Sequence, residues 1–364
     1  MCVPMVDVGN HGRGSRGSGK PTIDDVARRA GVSRTTVSRV LNKGANVRLA
    51  VRETVEEAVE SLGFKANVQA RSLAARYGSS LALVHQSDLD TEPNSYYHAA
   101  LELGALRACA DGGFQVLTRT VSSDVTQARR QIAEMFSDGR VAGMILTPPL
   151  SDDQELRKLG SERGYAFACV SADPDTDLNG PAFGIDDFAA GRDIARHLIE
   201  LGHRRFGYMH GLSGHRSAAR RFTGVCSALD EAGLDCKLLV EEHGTFAFRS
   251  GIVCAERMIT LDPRPTALIC ANDDMAAGAM LAMHQNGLEI PGDISVTGFD
   301  GTPISEIIWP PLTTVVQPIK QIGYDAASWL IELITNGANA RRTNFPVAAH
   351  SVALRESTAP PRRT

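Results

Sequence analysis

The sequence predicts a small all-α helix-turn-helix domain followed by an α/β core of two doubly wound parallel-sheet subdomains. Residues 21–42, PTIDDVARRAGVSRTTVSRVLN, read as two short helices joined by a tight turn. From Ser80 onward, short apolar runs alternate with amphipathic stretches of helical period. Charge divides at the same place. Residues 1–79 hold 13 Lys/Arg against 7 Asp/Glu, a balance of +6, and the other 285 hold 25 against 35, a balance of −10. A basic head on an acidic body fits a polyanion-binding module joined to one that is not.

Ile23, Val26, Ala27 and Ala30 recur at i, i+3, i+4 and i+7, one buried helix face. Thr22 is a suitable N-cap, and Asp25 lies near the helix's positive end. Gly31 stops this helix, and Ser33 caps a second whose apolar face is Val37, Val40 and Leu41. Arg34, Thr35, Ser38 and Arg39 remain on its polar face. That is the geometry in which a second helix lies in the DNA major groove with its N-terminal side chains at base edges. A plain helical hairpin with solvated arginines is the bland alternative. A third helix is expected over about Leu49 to Leu62, with Val51, Val55, Ala58, Val59 and Leu62 on one face and Gly63 at its end. Asn67 to Arg76 is a short helix-compatible segment, marginal unless a partner stabilises it.

In the core, strands are expected at 81–85, 114–118, 141–146, 165–170, 206–210, 266–270 and 294–299. Helices are expected at 124–137, 186–201, 218–232, 249–261 and 272–286. Alternating β and α implies parallel sheets covered on both faces. So long an alternation exceeds one sheet, so two similar subdomains with a cleft are inferred. Ligands of such sheets bind at the carboxyl ends of the strands.

With 364 residues, 43% hydrophobic and 22% charged, the chain is ordinary globular protein of two or three domains. No apolar run approaches the roughly 18 residues of a membrane span. The N-terminus lacks the apolar stretch of a signal peptide, so a cytoplasmic, non-membrane protein is expected. Cysteines 2, 109, 169, 226, 236, 254 and 270 are scattered, odd in number and without a C-x-x-C pair. Reduced, packed thiols are expected, with no disulfide frame, no metal site and no cofactor. Gly14 to Lys20, GSRGSGK, fits a phosphate-binding loop, but Pro21 stands where a magnesium-binding Ser or Thr belongs. A basic flexible arm is the better reading, and an enzyme ranks last because no nucleophile–base pair appears at recognisable spacing.

Several ordered blocks resemble the LacI-type bacterial transcription regulators, the family of the lactose and purine repressors, over about residues 21–355. They are IDDVARRAGVSRTTVSRVLN, NVQARSLA, HLIELGHRRFGYMHG, RFTG, CANDDMAAGAM, ISVTGFDG and PPLTTVVQP. The resemblance implies a periplasmic-binding-protein-like core joined to the DNA-binding head by a hinge helix. It implies a homodimer on an approximately palindromic double-stranded operator, switched by a small effector such as a sugar or sugar phosphate. The expected division is a disordered tail at 1–20, the helix-turn-helix domain at 21–66 and a hinge at 67–79. The core then spans 80–355, with crossovers near 183, 314 and 340, and a flexible tail spans 356–364.

By the same resemblance, Arg34 and Thr35 occupy specificity positions, while Ser38 and Arg39 make further base and phosphate contacts. An arginine can pair bidentately with guanine. Thr22, Ser33, Thr36, Asn42 and Asn67 complete the DNA-facing set. Leu73 matches a hinge leucine that wedges into the minor groove, and simple core packing is its competing reading. In the core, Arg221 matches an effector-reaching arginine, and Asn272 and Asp300 match an amide and a carboxylate at two strand ends. Phe246 falls where the lactose repressor has a stacking tryptophan, and Tyr96 where the purine repressor has a stacking aromatic. Asn272 has an equal reading as a helix cap, Phe246 as core, and the acidic pair Asp186 and Asp187 as caps. The C-terminal leucine heptad of the lactose repressor is absent, which favours a dimer over a tetramer. The expected function is an effector-controlled, sequence-specific transcriptional repressor. The alternative is a solute-binding protein of a sugar transport system, which shares the core fold.

Overall fold

Apolar periodicity and turn residues shape both parts of the molecule. The computed structural model describes residues 23–33, 36–37, 40, 48–62, 79–87, 95–172, 182–336 and 347–362. The chain forms two units, Met1–Ala74 and Ala75–Thr364.

In the first unit, α1 (Ile23–Ala30) ends at Gly31, whose φ of 64° permits the left-handed turn. Ser33 Oγ accepts from the Thr36 amide at 3.2 Å, the capping bond expected of it. Thr36, Val37 and Val40 are helical. α2 (Leu49–Leu62) packs Val55 and Ala58 against Val26, Ala27, Ala30, Val37 and Val40 in one small core.

The second unit holds two sheets. The first contains β1 (Ser80–Gln86), β2 (Gln115–Val121), β3 (Gly143–Leu146), β4 (Phe167–Val170) and β5 (Ala182–Phe183), in the order β2-β1-β3-β4-β5 and all parallel. Helices α3 (Ser95–Gly112), α4 (Val125–Ser137) and α5 (Gln154–Arg163) alternate with these strands. The second sheet contains β6 (Phe206–His210), β7 (Val240–His243), β8 (Ala267–Cys270), β9 (Ser295–Asp300), β10 (Thr313–Val316) and β11 (Ser351–Ala353). Its order is β11-β10-β9-β8-β6-β7, and β11 alone is antiparallel. Its helices are α6 (Asp187–Glu200), α7 (Arg216–Glu231), α8 (Phe248–Ile259), α9 (Asp273–Gln285) and the single turn α10 (Ile304–Ile307). Without β11, each sheet has the doubly wound order 2-1-3-4-5.

The chain crosses between subdomains. After β5 it enters α6, which packs on α7, and after β10 it enters α11 (Ile319–Asn336), which packs on α3 and the first sheet. It then returns to β11 in the second sheet. One apolar cluster runs from Leu81, Leu101 and Phe183 through Ile319 and Leu330 to Ile194, Tyr208 and Phe299, so the subdomains share a core. Separate clusters fill the outer face of each sheet.

Three helix pairs meet backbone to backbone: α3 with α11, α6 with α7, and α8 with α9. Each uses one glycine from each helix. A Cβ on Gly191 would strike the Arg221 carbonyl, and one on Gly224 would strike that of Phe188. Gly104 and Gly323, and Gly251 and Gly278, repeat the arrangement in the other pairs.

Two expectations are corrected. The cysteines are not all thiols: Cys226 on α7 and Cys236 just beyond it form a disulfide, their Cα atoms 5.2 Å apart. The turn between α7 and β7 brings them together, which a spacing of ten residues does not reveal. Cys109, Cys169, Cys254 and Cys270 are buried free thiols, as expected, and Cys2 lies outside the described residues. Nor are residues 356–362 of the expected tail loose. Ser357 is fully buried, donating to Val296 O at 2.6 Å and accepting from the Thr313 amide at 2.8 Å. His203 Nε2 lies 2.9 Å from Ala359 O, and Arg362 pairs with Glu289 and Asp293.

Gly224→Ala should therefore force α6 and α7 apart. Urea denaturation should show a loss on the order of 1–3 kcal/mol, the usual cost of overpacking a tight contact. An unchanged midpoint would show that the two helices can separate freely.

Candidate functional site

Loops leaving parallel strands converge at the strands' carboxyl ends, and the chain there is strained. Among the described residues, three non-glycine positions have positive φ: Ser171 (50°), Phe246 (63°) and Asp300 (106°). Ser171 follows β4 in the first subdomain, Phe246 follows β7 in the second, and Asp300 ends β9. Such conformations cost on the order of 1–3 kcal/mol each and cluster at ligand sites.

Arg221 on α7 joins these strand ends. It is 7% exposed, yet its Nε donates to Asp187 Oδ1 at 2.8 Å and its Nη1 to Ala271 O at 3.2 Å. Its guanidinium lies over the Phe299 ring, 3.7 Å from the centroid. Asp187, read from sequence as one of two caps, is thus the arginine's ion-pair partner, while Asp186 caps α6 by accepting from the Ala189 amide at 3.0 Å. Burial pushes the Asp187 carboxyl above the usual carboxylate range, against the pull of Arg221. Desolvation works against the Arg221 charge, and Asp187 and Asp300 more than offset it.

Asp300 is 4% exposed and accepts from Gln317 Nε2 at 2.7 Å. Burial raises its carboxyl to about 8, opposed by the nearby Arg221. Behind it, buried Asp273 accepts from the Thr302 amide at 2.6 Å and the Thr314 hydroxyl at 2.5 Å, fixing the chain just after Asp300.

Asn272 is nearly inaccessible, and both ends of its amide are used. Oδ1 accepts from the Met275 amide at 3.0 Å as the cap of α9, and Nδ2 donates to Phe246 O at 2.9 Å. It therefore holds the Phe246 loop in place. The half-buried Phe246 ring packs on Gly211, where a Cβ would collide with it, and lies 5.0 Å from the His215 ring. Tyr96, half-buried, packs on the apolar core. Its neighbour Tyr97 faces the strand ends, with its hydroxyl 3.0 Å from Ser171 Oγ and within the electrostatic reach of Asp300, Arg221 and Asp187.

Besides Ser171 and Tyr97, the structure adds four residues not singled out from sequence. The His85 and His98 rings pack at a tilt of 31°, centroids 3.8 Å apart, in the first subdomain, and His215 of the second feels both Arg221 and His98. Desolvation lowers His85 to about 3 and His98 and His215 to about 4, so all three are neutral at pH 7. Gln317 is the fourth. His85 Nε2 and Gln317 Oε1 are buried without a hydrogen-bond partner among the described residues, one from each subdomain. Orphaned buried polar atoms are rare and costly unless a ligand or water completes them. Ser171 was open to the reasoning that found Asp300, since both are polar residues closing an apolar strand.

Of the expected DNA-facing residues, Ser33 and Thr36 are placed, their hydroxyls 2.9 Å apart at the start of the second helix. Thr22, Arg34, Thr35, Ser38, Arg39, Asn42, Asn67 and Leu73 lie outside the described residues.

A helix-turn-helix unit together with a two-sheet core whose strands end in polar, strained residues is the build of an effector-responsive DNA-binding regulator. The family model for bacterial regulatory proteins of the lacI family matches residues 22–67, and that for a periplasmic binding protein-like domain matches residues 195–358. The HTH-type transcriptional repressor PurR of Mannheimia succiniciproducens is 32% identical over 88% of this chain and 94% of its own length. A lac repressor dimer bound to operator and the anti-inducer ONPF superposes with a TM-score of 0.70 at 28% identity, covering 94% of this chain and 100% of that one. A complex of the transcriptional regulator CelR with cellobiose does so at 0.67 and 29%, covering 93% and 99%. The chain belongs to the LacI family. It is a DNA-binding transcriptional regulator with an effector-binding core rather than an enzyme, and its helix-turn-helix favours that role over transport. No described helix is long and apolar enough to cross a membrane.

The raised Asp300 carboxyl gives a test of the site's electrostatics. The folded chain keeps a proton there that the unfolded chain releases near pH 4, so the associated stability is lost as pH rises towards about 8. Asp300→Asn mimics the protonated form and tolerates positive φ. The stability of this variant relative to the parent should rise between pH 5 and about pH 8, then level off, in urea titrations. A difference that stays flat would mean the carboxyl titrates normally.

Proposed function

We propose that this regulator is a repressor whose effector is an uncharged, polyhydroxylated molecule of the sugar class, bound in the cleft between the core subdomains. The single observation that carries this reading is that the positive-φ non-glycine residues among those described all fall at strand carboxyl ends, joined there by the unpartnered His85 Nε2 and Gln317 Oε1. Asp300, Gln317, Tyr97 and His98 offer acceptors and donors suited to adjacent hydroxyls, and Phe246 offers a flat apolar wall. Arg221 is already paired with Asp187, and the three imidazoles are neutral. That balance favours a neutral sugar over a sugar phosphate. Asn272 serves by holding Phe246, and Tyr97, in place of the expected Tyr96, brings its hydroxyl to the strand ends. The cellobiose bound by the CelR relative supports the class. The purine repressors among the relatives favour a second reading, a neutral nucleobase stacked on the same phenylalanine.

The protein acts in the cytoplasm as a homodimer on an approximately palindromic operator. Arg34, Thr35, Ser38 and Arg39 read and position the DNA, with Thr22, Ser33, Thr36, Asn42 and Asn67 in support. Leu73 from each hinge wedges into the minor groove. The lac repressor dimer on its operator supports this arrangement. An effector touching both subdomains prefers one closure angle and so shifts the spacing of the two heads. Its coupling to DNA is on the order of 1–3 kcal/mol and reciprocal.

A thermal-shift panel of mono- and disaccharides beside nucleobases identifies the class, since a ligand at 100 times its Kd stabilises by about 2.7 kcal/mol. Asp300→Gly, which deletes the carboxyl and suits the φ of 106° there, should then bind the best sugar at least about tenfold more weakly, yet keep parental affinity for operator DNA. Equal sugar affinity would place the site elsewhere, and stabilisation by a nucleobase alone would replace the sugar reading. Arg39→Ala should lose specific operator binding by about 1–3 kcal/mol at matched salt if it pairs with a guanine. Unchanged binding would refute the recognition-helix assignment.

A further inference from the structure

Away from the cleft face of Asp300, the outer edge of the second sheet carries a group of side chains that the effector reading does not use. β7 is the edge strand and pairs in parallel with β6, with Tyr208 opposite Glu241 and His210 opposite His243. Alternation along a strand puts Glu241 and His243 on one face and Glu242 on the other. Glu242 is taken up on its own face by Arg257 of α8, at 3.0 Å. On the opposite face, His210 Nε2 lies 2.7 Å from Glu241 Oε2, and the His210 and His243 rings stack at 4.5 Å with 12° between their planes. One ligand atom from each of the three residues lies within 4.8 Å of the other two.

We propose that His210, Glu241 and His243 form a binding site for a divalent transition metal ion of the zinc class. Two imidazoles and one carboxylate are the donor set that such ions take, with Zn–N and Zn–O distances near 2.0–2.2 Å and water in the fourth position. Imidazole donors select against magnesium and calcium, which take oxygen ligands. Glu241 and His243 are exposed, so the open position faces solvent, and the small contraction needed falls on mobile side chains. The His210 ring is already oriented, held against Tyr208 at 4.7 Å and Phe222 at 4.6 Å. A fixed ring with two adaptable partners is a half-organised site.

Its position gives the ion a consequence. Gly211 follows His210 and packs on the Phe246 ring, and the Gly244 amide donates to His210 O at 2.9 Å immediately after His243. A metal here clamps the two strands at the root of the loop that carries Phe246. It stabilises the edge of the sheet and restrains one wall of the cleft.

The test uses full-length protein without a histidine tag, stripped with chelator and titrated calorimetrically with zinc chloride. One saturable site per chain is expected. His243→Ala, an exposed substitution, should weaken it by at least about tenfold while leaving the unliganded melting temperature unchanged. Glu241→Gln should weaken it less. Cobalt(II) should bind with the visible absorption of a low-coordinate nitrogen and oxygen site, and magnesium should not compete. The absence of saturable zinc binding would overturn the proposal. So would binding that survives His243→Ala, or that vanishes on replacing Cys226 and Cys236 while the three proposed ligands are intact.

Discussion

The core depends on one buried guanidinium. Removing an arginine charge from water costs several kcal/mol, and the structure repays that only by supplying several partners at once. Asp187 comes from α6, the Ala271 carbonyl from the end of β8, and the Phe299 ring from β9. The same residue's backbone carbonyl abuts Gly191, so the close approach of α6 and α7 delivers the side chain to its partners. Helix packing and site geometry are therefore one constraint. Asp300 is held beside the same charge and retains its proton because it is buried more effectively than it is paired.

That arrangement is stable without being relaxed. Backbone strain at Ser171, Phe246 and Asp300, and unpartnered polar atoms on His85 and Gln317, lie at or just after the carboxyl ends of strands. The glycine-mediated helix contacts, capped helices and apolar strands agree with one another. Departures from local consistency are where function is expected. The two subdomains are joined by chain crossings after β5, after β10 and before β11, so a ligand bridging them acts on their mutual closure.

Much of the fold was legible in the sequence because its central strands are apolar runs and its helices are striped. β1, β6 and β9 lie where such runs are found, and α2 matches its expected bounds. The edge strand β7, VEEH, was not legible, because an edge carries polar side chains on both faces. β5 has only two residues, and α3 is apolar nearly all round its axis, so neither offers a periodic signal. In the site, Arg221 and Asp300 were legible through their motifs and their cost when buried. Tyr97 was not, because adjacent helical residues point about 100° apart and the register of α3 is not written in its sequence. Asn272 shows the limit of motif transfer: its amide is spent on the α9 cap and the Phe246 carbonyl. The histidines near the cleft come from β1, α3 and the turn before α7, and only the fold brings them together.

Hydrogen–deuterium exchange with and without the most stabilising sugar tests the central claim most directly. A ligand held between the subdomains should protect amides following β4 around Ser171 together with those around Phe246 and from Asp300 to Thr302. Protection should therefore appear on both subdomains and at the carboxyl ends of their strands. Protection confined to one subdomain, or located away from those strand ends, would contradict a cleft built around Arg221.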